Sequence, residues 1–262
     1  MTDCLLRENQ GRICVLTLNT PKSLNALSET MLAALQNQLD DIATSKDIRV
    51  VVLRAMGKAF CAGHDLKEMT AARAADDGGH QYFLDLFATC SRMMKSIRDL
   101  PQPVIAQVHG LATAAGCQLV ATCDLAVAED QTKFGVNGVN IGLFCSTPMV
   151  ALSRNMPRKK VFELLTTGEF MDTATAQDFG LINKSVPASD LEQATMDMAT
   201  TIASKLSSAV KVGKRAFYEQ IEMTVDEAYD HTGKVMAQNM MARNTEEGIA
   251  AFIDKRKPDW AD

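Results

Sequence analysis

The sequence predicts an α/β protein with a parallel-stranded β/α core over residues 1–190 and a helical region over 191–262. Three observations carry that prediction. A strand, a helix and a strand follow one another within the first 55 residues, the strands run almost continuously apolar, and strand signals nearly vanish after about Thr147. A connection of that length is a crossover and pairs its two strands in parallel. Apolar runs without alternation belong to strands covered on both faces.

The first strand covers residues 12–18, where Ile13, Val15 and Thr17 are β-branched. Ser28 then caps a helix and Glu29 favours its positive end, while Leu32, Leu35, Leu39 and Ile42 share one face at helical spacing. Residues 48–53 form the second strand. The pattern recurs in a strand over 104–108, a short helix over 115–122 and a strand over 125–128. Further on, Ser189 with Glu192 and Thr224 with Glu227 match the reciprocal N-terminal capping pattern, and Leu191, Ala194, Met198 and Ile202 give the first of these helices an apolar stripe. Gly180 and Pro258 punctuate ends. No repeat of constant period and no low-complexity segment interrupts this order.

Composition excludes several classes. With 47% hydrophobic and 23% charged residues the chain is neither disordered nor collagen-like. No apolar run approaches the roughly 20 residues of a membrane helix, and Asp3, Arg7 and Glu8 stand where a secretion signal would carry its apolar core. The expectation is a cytoplasmic protein that does not enter the membrane. A net charge of -5, with no basic cluster longer than 255–257, argues against a nucleic-acid partner. Seven cysteines, an odd number without a CxxC pair, are expected as reduced core thiols. His64, His80, His109 and His231 are too dispersed to form a ligand set, so no metal is expected.

Chemistry concentrates in two turns that follow strands. The first reads K-A-F-C-A-G-H-D-L-K-E-M over 58–69, where Ala62 and Gly63 let a ligand approach the backbone. The second reads G-L-A-T-A-A-G-C-Q over 110–118 and opens a helix. Two such turns can aim two backbone N–H groups at one point, which makes an oxyanion hole. Neither carries GxGxxG or GxxxxGK, so phosphate cradling by the turn itself is not expected.

Five motifs in order, N-T-P-K-S-L-N-A-L (19–27), C-A-G-H-D-L-K-E (61–68), P-V-I-A-Q-V-H-G (103–110), A-A-G-C-Q-L-V-A-T-C-D (114–124) and A-F-I-D-K-R-K-P (251–258), strongly resemble the crotonase (enoyl-CoA hydratase/isomerase) superfamily over nearly the whole chain. The resemblance implies the ClpP/crotonase fold, a superhelix of ββα turns with a C-terminal helical trimerisation region. It implies a homotrimer or a dimer of trimers, and an acyl-CoA thioester whose carbonyl is held by the N–H groups of His64 and Ala115. Coenzyme A would arrive as part of the substrate, with no covalently bound cofactor. Its contacts would map to Lys22, Ser23, Leu24 and Ala26, to Ala62, Gly63, Asp65 and Leu66, and, from a neighbouring subunit, to Phe252 and Lys255.

Departures from the family pattern shape the functional expectation. Hydratases of the superfamily use two glutamates to hold and split water, and by motif position these are Gln118 and Gly138 here. Neither transfers a proton, so hydration is expected to be weak, absent or replaced by altered lyase or isomerase chemistry on an acyl-CoA. Putting glutamate back at both positions is expected to raise hydration, provided Gly138 tolerates a side chain. Polar groups left nearby are His64, Asn140, Cys145 and Ser146, with His80 and Tyr82 on the preceding helix. No His–acid pair is visible to activate Ser146 or Cys145. His109 and Asp124 read as structural, and Met93 and Met94 as core or acyl-pocket lining. The rival expectation is a non-catalytic oligomeric scaffold or regulator, against which the small residues Ala62, Gly63, Ala114, Ala115 and Gly116 speak.

Overall fold

The structure, a computed structural model, describes residues 3–260. Two compact units divide the chain, the first ending at Ile202 and the second beginning at Ala203. In the first unit, strands β1 (Leu5–Gln10) and β2 (Ile13–Leu18) form an antiparallel hairpin, with Gly11 at positive φ in its two-residue loop. Helix α1 (Glu29–Thr44) returns the chain to β3 (Val50–Ala55), which pairs with β2 in parallel as the crossover requires. Helices α2 (Leu66–Ala72) and α3 (His80–Asp99) lead to β4 (Val104–Val108), and β5 (Leu111–Thr113) and α4 (Ala115–Thr122) lead to β6 (Leu125–Glu129). Then come β7 (Lys133–Gly135), α5 (Pro148–Asn155), α6 (Arg158–Thr167), β8 (Phe170–Met171), α7 (Thr173–Asp178), β9 (Lys184–Val186) and α8 (Leu191–Ala203).

Six strands make one sheet in the order β1-β2-β3-β4-β6-β9, parallel except for β1, and β5-β7-β8 make a small second sheet. The two sheets share one repeat. After β2, β3, β4 and β6 the chain runs through an inner extended piece and then a helix, the inner pieces being Leu27, residues 61–64, β5 and β7. Parallel bridges Leu27↔His64 and Cys61↔Ala112, and the parallel β5–β7 pair, set these inner pieces side by side. Because parallel neighbours end at the same edge, every helix of the spiral starts from one rim. This is the ββα spiral that the sequence led us to expect.

Burial holds the spiral together. Leu32, Leu35, Leu39 and Ile42 of α1, with Met31, pack against Leu16, Leu18, Val51 and Leu53 of the sheet, and Cys90, Met93, Met94 and Ile97 of α3 join the same core. Ser28 caps α1 by accepting from the Met31 N–H at 3.2 Å. Asn25, fully buried, ties the loop before α1 to the end of β3: its Oδ1 accepts from Thr20 N, and its Nδ2 donates to Met56 O and Ala59 O, each at 2.8 Å. His109 reaches Gly57 O at 2.8 Å, and Asp124 accepts from Val104 N at 2.6 Å, so both act structurally as expected. All seven cysteines are free, and all but Cys4 are buried.

The second unit holds α9 (Ser207–Gln220), α10 (Val225–Met240) and α11 (Arg243–Ile253). Glu227 accepts from both the main-chain N–H and the hydroxyl of Thr224, which anchors the start of α10 as the capping pattern predicts. The pattern fails at Ser189. That residue lies in a 3-10 turn over Ala188–Asp190 and donates to Asp190, while Glu192 turns away to pair with Arg54 at 2.9 Å. A full guanidinium charge on β3 outcompetes a local backbone N–H for the carboxylate. Among the described residues no helix is long and apolar enough to cross a membrane.

Candidate functional site

The two small-residue turns meet. Gly63 has φ +92°, and a methyl group placed on it would lie 3.0 Å from Ala114 Cβ, 3.2 Å from Thr113 O and 3.3 Å from Ala115 N. Both the positive φ and the close approach favour glycine there. Gly116 serves the same approach from the other side, since a Cβ on it would fall 2.1 Å from Cys61 O. The cause is the Cys61↔Ala112 bridge, with Cys61 N donating to Leu111 O and Thr113 N donating to Cys61 O, which runs the two inner strands together to the rim where α4 begins.

At that rim, the main-chain N–H groups of His64 and Ala115 meet no acceptor among the described residues. Ala115 is the first residue of α4, so the positive end of the helix stands behind its N–H. Ala114, which aims it, adopts φ 51°, ψ -121°, a conformation that glycine favours. Two donors on adjoining turns can hold one oxygen that carries developing negative charge.

The imidazole of His64 is a separate matter. Both ring nitrogens are buried without a hydrogen-bond partner, and the ring packs edge-on against Phe87 with centroids 5.6 Å apart. Burial lowers its pKa from the ordinary value, with the Leu27 main chain offsetting part of the shift. The ring is neutral at pH 7.

Gln118 sits one helical turn beyond the hole, its N–H donating to Ala114 O at 3.0 Å. Its side chain is buried and its Oε1 lacks a partner. Gly138 is buried in a 3-10 turn over Asn137–Ile141, and its φ is not positive. Its obstacle is space: a Cβ would fall 2.3 Å from Leu143 O and 2.9 Å from Cys145 Sγ. The loop closes on itself through Leu143 N donating to Gly138 O at 3.0 Å, so the proviso that Gly138 must tolerate a side chain meets its obstacle in the packing of Leu143 and Cys145 and not in a positive φ.

The other polar candidates separate. Asn140 is exposed and donates to Gly168 O at 3.2 Å, and Ser146 is exposed with its hydroxyl 3.4 Å from Phe144 O. Burial pushes the Cys145 thiol up, against the Gly138 N–H that draws it down, so it is no thiolate. His80 is exposed at the start of α3, while Tyr82 is half-buried and pushed up to about 12 by burial and then by Glu29. Met93 and Met94 are core. The Lys22 to Ala26 segment lies against the first turn, because Ala62 N donates to Leu24 O at 3.0 Å and Leu27 N to Gly63 O at 2.7 Å. Within it Lys22 and Ser23 are exposed and Ala26 is buried. Asp65 caps α2, accepting from Lys67 N and Glu68 N, and Leu66 is exposed. Phe252 and Lys255 are exposed in the second unit.

The sequence profile of the enoyl-CoA hydratase/isomerase family matches residues 8–262. The chain belongs to that family. It is 47% identical over 246 residues to the human protein called enoyl-CoA hydratase domain-containing protein 3, mitochondrial, covering 94% of this chain and 80% of that one. Among solved structures, an enoyl-CoA hydratase from Mycobacterium smegmatis superposes with a TM-score of 0.95 at 50% identity, covering 99% of both chains. The human domain-containing protein 3 superposes at 0.93 with 44% identity, covering 98% of this chain and 100% of that one. The crotonase fold expected from the motifs is thereby established. From the sequence, T-A-A-G-C-Q-L-V-A and G-V-N-I-G-L-F-C-S-T-P, at 113–121 and 138–148, suggest a likeness to that branch, and the whole-chain identity agrees with it.

One expectation for this family member is overturned. The human, mouse and rat relatives are named as mitochondrial, which points to that compartment and away from the cytoplasm. Free thiols and an ordinary composition are compatible with any reducing compartment, so they could not discriminate.

Sequence reasoning also passed over two polar residues at the rim. Thr113 Oγ1 donates to Asn137 Oδ1 at 2.6 Å, joining the second turn to the loop that holds Gly138. At a separation of 24 positions, no local pattern signals the pair.

Proposed function

We propose that this family member binds an acyl-CoA thioester with its carbonyl oxygen between the N–H groups of His64 and Ala115, and that two-glutamate hydration is weak, absent or replaced by other thioester chemistry. The single observation that carries this reading is the pair of unpartnered amides on turns that approach to atomic contact at Gly63 and Ala114. By family position Gln118 and Gly138 stand where hydratases place their two glutamates. A carboxamide keeps the shape and hydrogen bonds of glutamate but cannot ionise, and glycine supplies nothing. Each lost acid–base group slows proton transfer by about 10²- to 10⁴-fold.

In this reading coenzyme A enters as part of the substrate. Lys22, Ser23, Leu24 and Ala26, with Ala62, Asp65 and Leu66, line its path, and Lys22 supplies positive charge that a chain of net charge -5 needs locally. The second unit serves self-association as a homotrimer or a dimer of trimers, with Phe252 and Lys255 offered to a neighbouring copy. Its exposed apolar residues, including Val225 at 71%, Tyr229 at 76% and Phe252 at 84%, support that role.

The test is calorimetric titration with short- and medium-chain acyl-CoAs, together with a mass-spectrometric screen of products from the same panel. Saturable binding with little hydration of crotonyl-CoA is expected. Absence of binding at millimolar ligand would overturn the reading.

A further inference from the structure

We infer that the Thr113–Asn137 hydrogen bond is a positioning device for the oxyanion hole: it holds the turn that aims the Ala115 N–H, so that polarisation of a bound thioester depends on a side-chain hydroxyl that never touches it. The inference rests on the acyl-thioester reading above and adds two positioning residues to it.

Ala114 is the strained residue of the turn. Its φ of 51° with ψ -121° is unfavourable for any residue with a Cβ, and such a conformation persists only where neighbours over-determine it. Three main-chain bonds surround it: Thr113 N to Cys61 O at 3.0 Å, Ala114 N to Gly135 O at 2.9 Å, and Gln118 N to Ala114 O at 3.0 Å. These tether the turn to its two inner-strand neighbours and to its own helix. None of them tethers it to the loop over residues 137–145.

The Thr113 hydroxyl supplies that link, donating to Asn137 Oδ1 at 2.6 Å. Thr113 is 8% exposed, so water competes poorly for the bond. Asn137 is itself anchored, because it opens the 3-10 turn whose Gly138 O accepts from Leu143 N at 3.0 Å. The clamp thus runs from a closed loop, through one side-chain bond, to the residue immediately before the strained one. An N–H donor must be placed to within a fraction of an ångström to stabilise charge that appears on the carbonyl oxygen, so loosening this clamp degrades polarisation before it degrades binding of the coenzyme A portion.

The test is isotope-edited infrared spectroscopy of carbonyl-13C-labelled butyryl-CoA bound to the full chain, since hydrogen bonds to a carbonyl lower its stretching frequency. Wild type is expected to shift the thioester band down. Thr113→Val, which keeps shape and removes the hydroxyl, is expected to lose at least half of that shift while affinity for free coenzyme A changes by less than twofold. Thr113→Ser and Asn137→Asp, which keep donor and acceptor respectively, should retain the shift, and Asn137→Ala should behave like Thr113→Val and carries the test if the valine variant does not fold. A wild-type shift that survives undiminished in Thr113→Val or Asn137→Ala would overturn the positioning role and leave the thioester reading standing. No shift in wild type would overturn the thioester reading itself, and this inference with it.

Discussion

His64 carries two independent groups, a main-chain N–H at the rim and an imidazole in the interior, and they answer to different conditions. The N–H is indifferent to pH. The ring, held neutral by burial without a partner, has a folded-state pKa below the unfolded value of about 6.5. Its contribution to stability is therefore present above that unfolded value and is lost as pH falls through the folded one, because the unfolded chain takes up the proton first. We expect urea unfolding to show a loss of stability below about pH 6.5 that is shallower in His64→Phe, which keeps the N–H. Identical pH profiles would contradict burial of the neutral ring. Ala114 gives the second residue-scale prediction. Glycine accepts φ 51° freely, so Ala114→Gly should raise unfolding stability by about 1 kcal/mol, the relief of strain exceeding the added entropy of the unfolded chain. A less stable variant would mean that the conformation costs nothing where it stands.

At the scale of elements, the loop after β7 decides what the site can be made to do. A side chain at Gly138 collides with a main-chain oxygen at 2.3 Å, and main chain gives way far less readily than the end of a flexible side chain. Gly138→Glu is accordingly expected to lower stability by roughly 1–3 kcal/mol in chemical denaturation and to leave crotonyl-CoA hydration low. Combining it with Gln118→Glu should not give the gain that motif position alone suggests. Hydration rising steeply in the double variant would show that the loop yields.

The strands β2, β3, β4 and β6 and the helices α1 and α4 were legible from apolar runs and helical spacing. Strand β1 was not, because five of its six residues are exposed and Arg7 to Gln10 carry no apolar signal. Strands β5, β7 and β8 have only two or three residues, too few for any period. In the site, the two glycine-bearing turns were legible as turns, and Gln118 and Gly138 were singled out only through what the family resemblance implies. The packing around Gly138, the conformation of Ala114 and the Thr113–Asn137 bond were not, because each depends on residues brought together from distant parts of the chain.

For the whole molecule, the second unit leaves Met236, Met241, Phe252 and Ile253 between 67% and 86% exposed, apolar surface that fits the proposed self-association. Sedimentation equilibrium should return three or six times the chain mass of 28.5 kDa, and a monomer at micromolar concentration would contradict the proposed role of these helices.

The two amides of His64 and Ala115 are the groups on which the proposed thioester binding depends most directly. Their hold on the carbonyl is tested by calorimetric titration of the full chain with butyryl-CoA and with its thioether analogue, in which a CH2 group replaces the carbonyl and so removes its oxygen. Two hydrogen bonds to that oxygen, each contributing on the order of 1 kcal/mol, predict that the thioester binds roughly tenfold more tightly or better. Equal affinity for the two ligands would contradict the claim that His64 and Ala115 hold a thioester carbonyl.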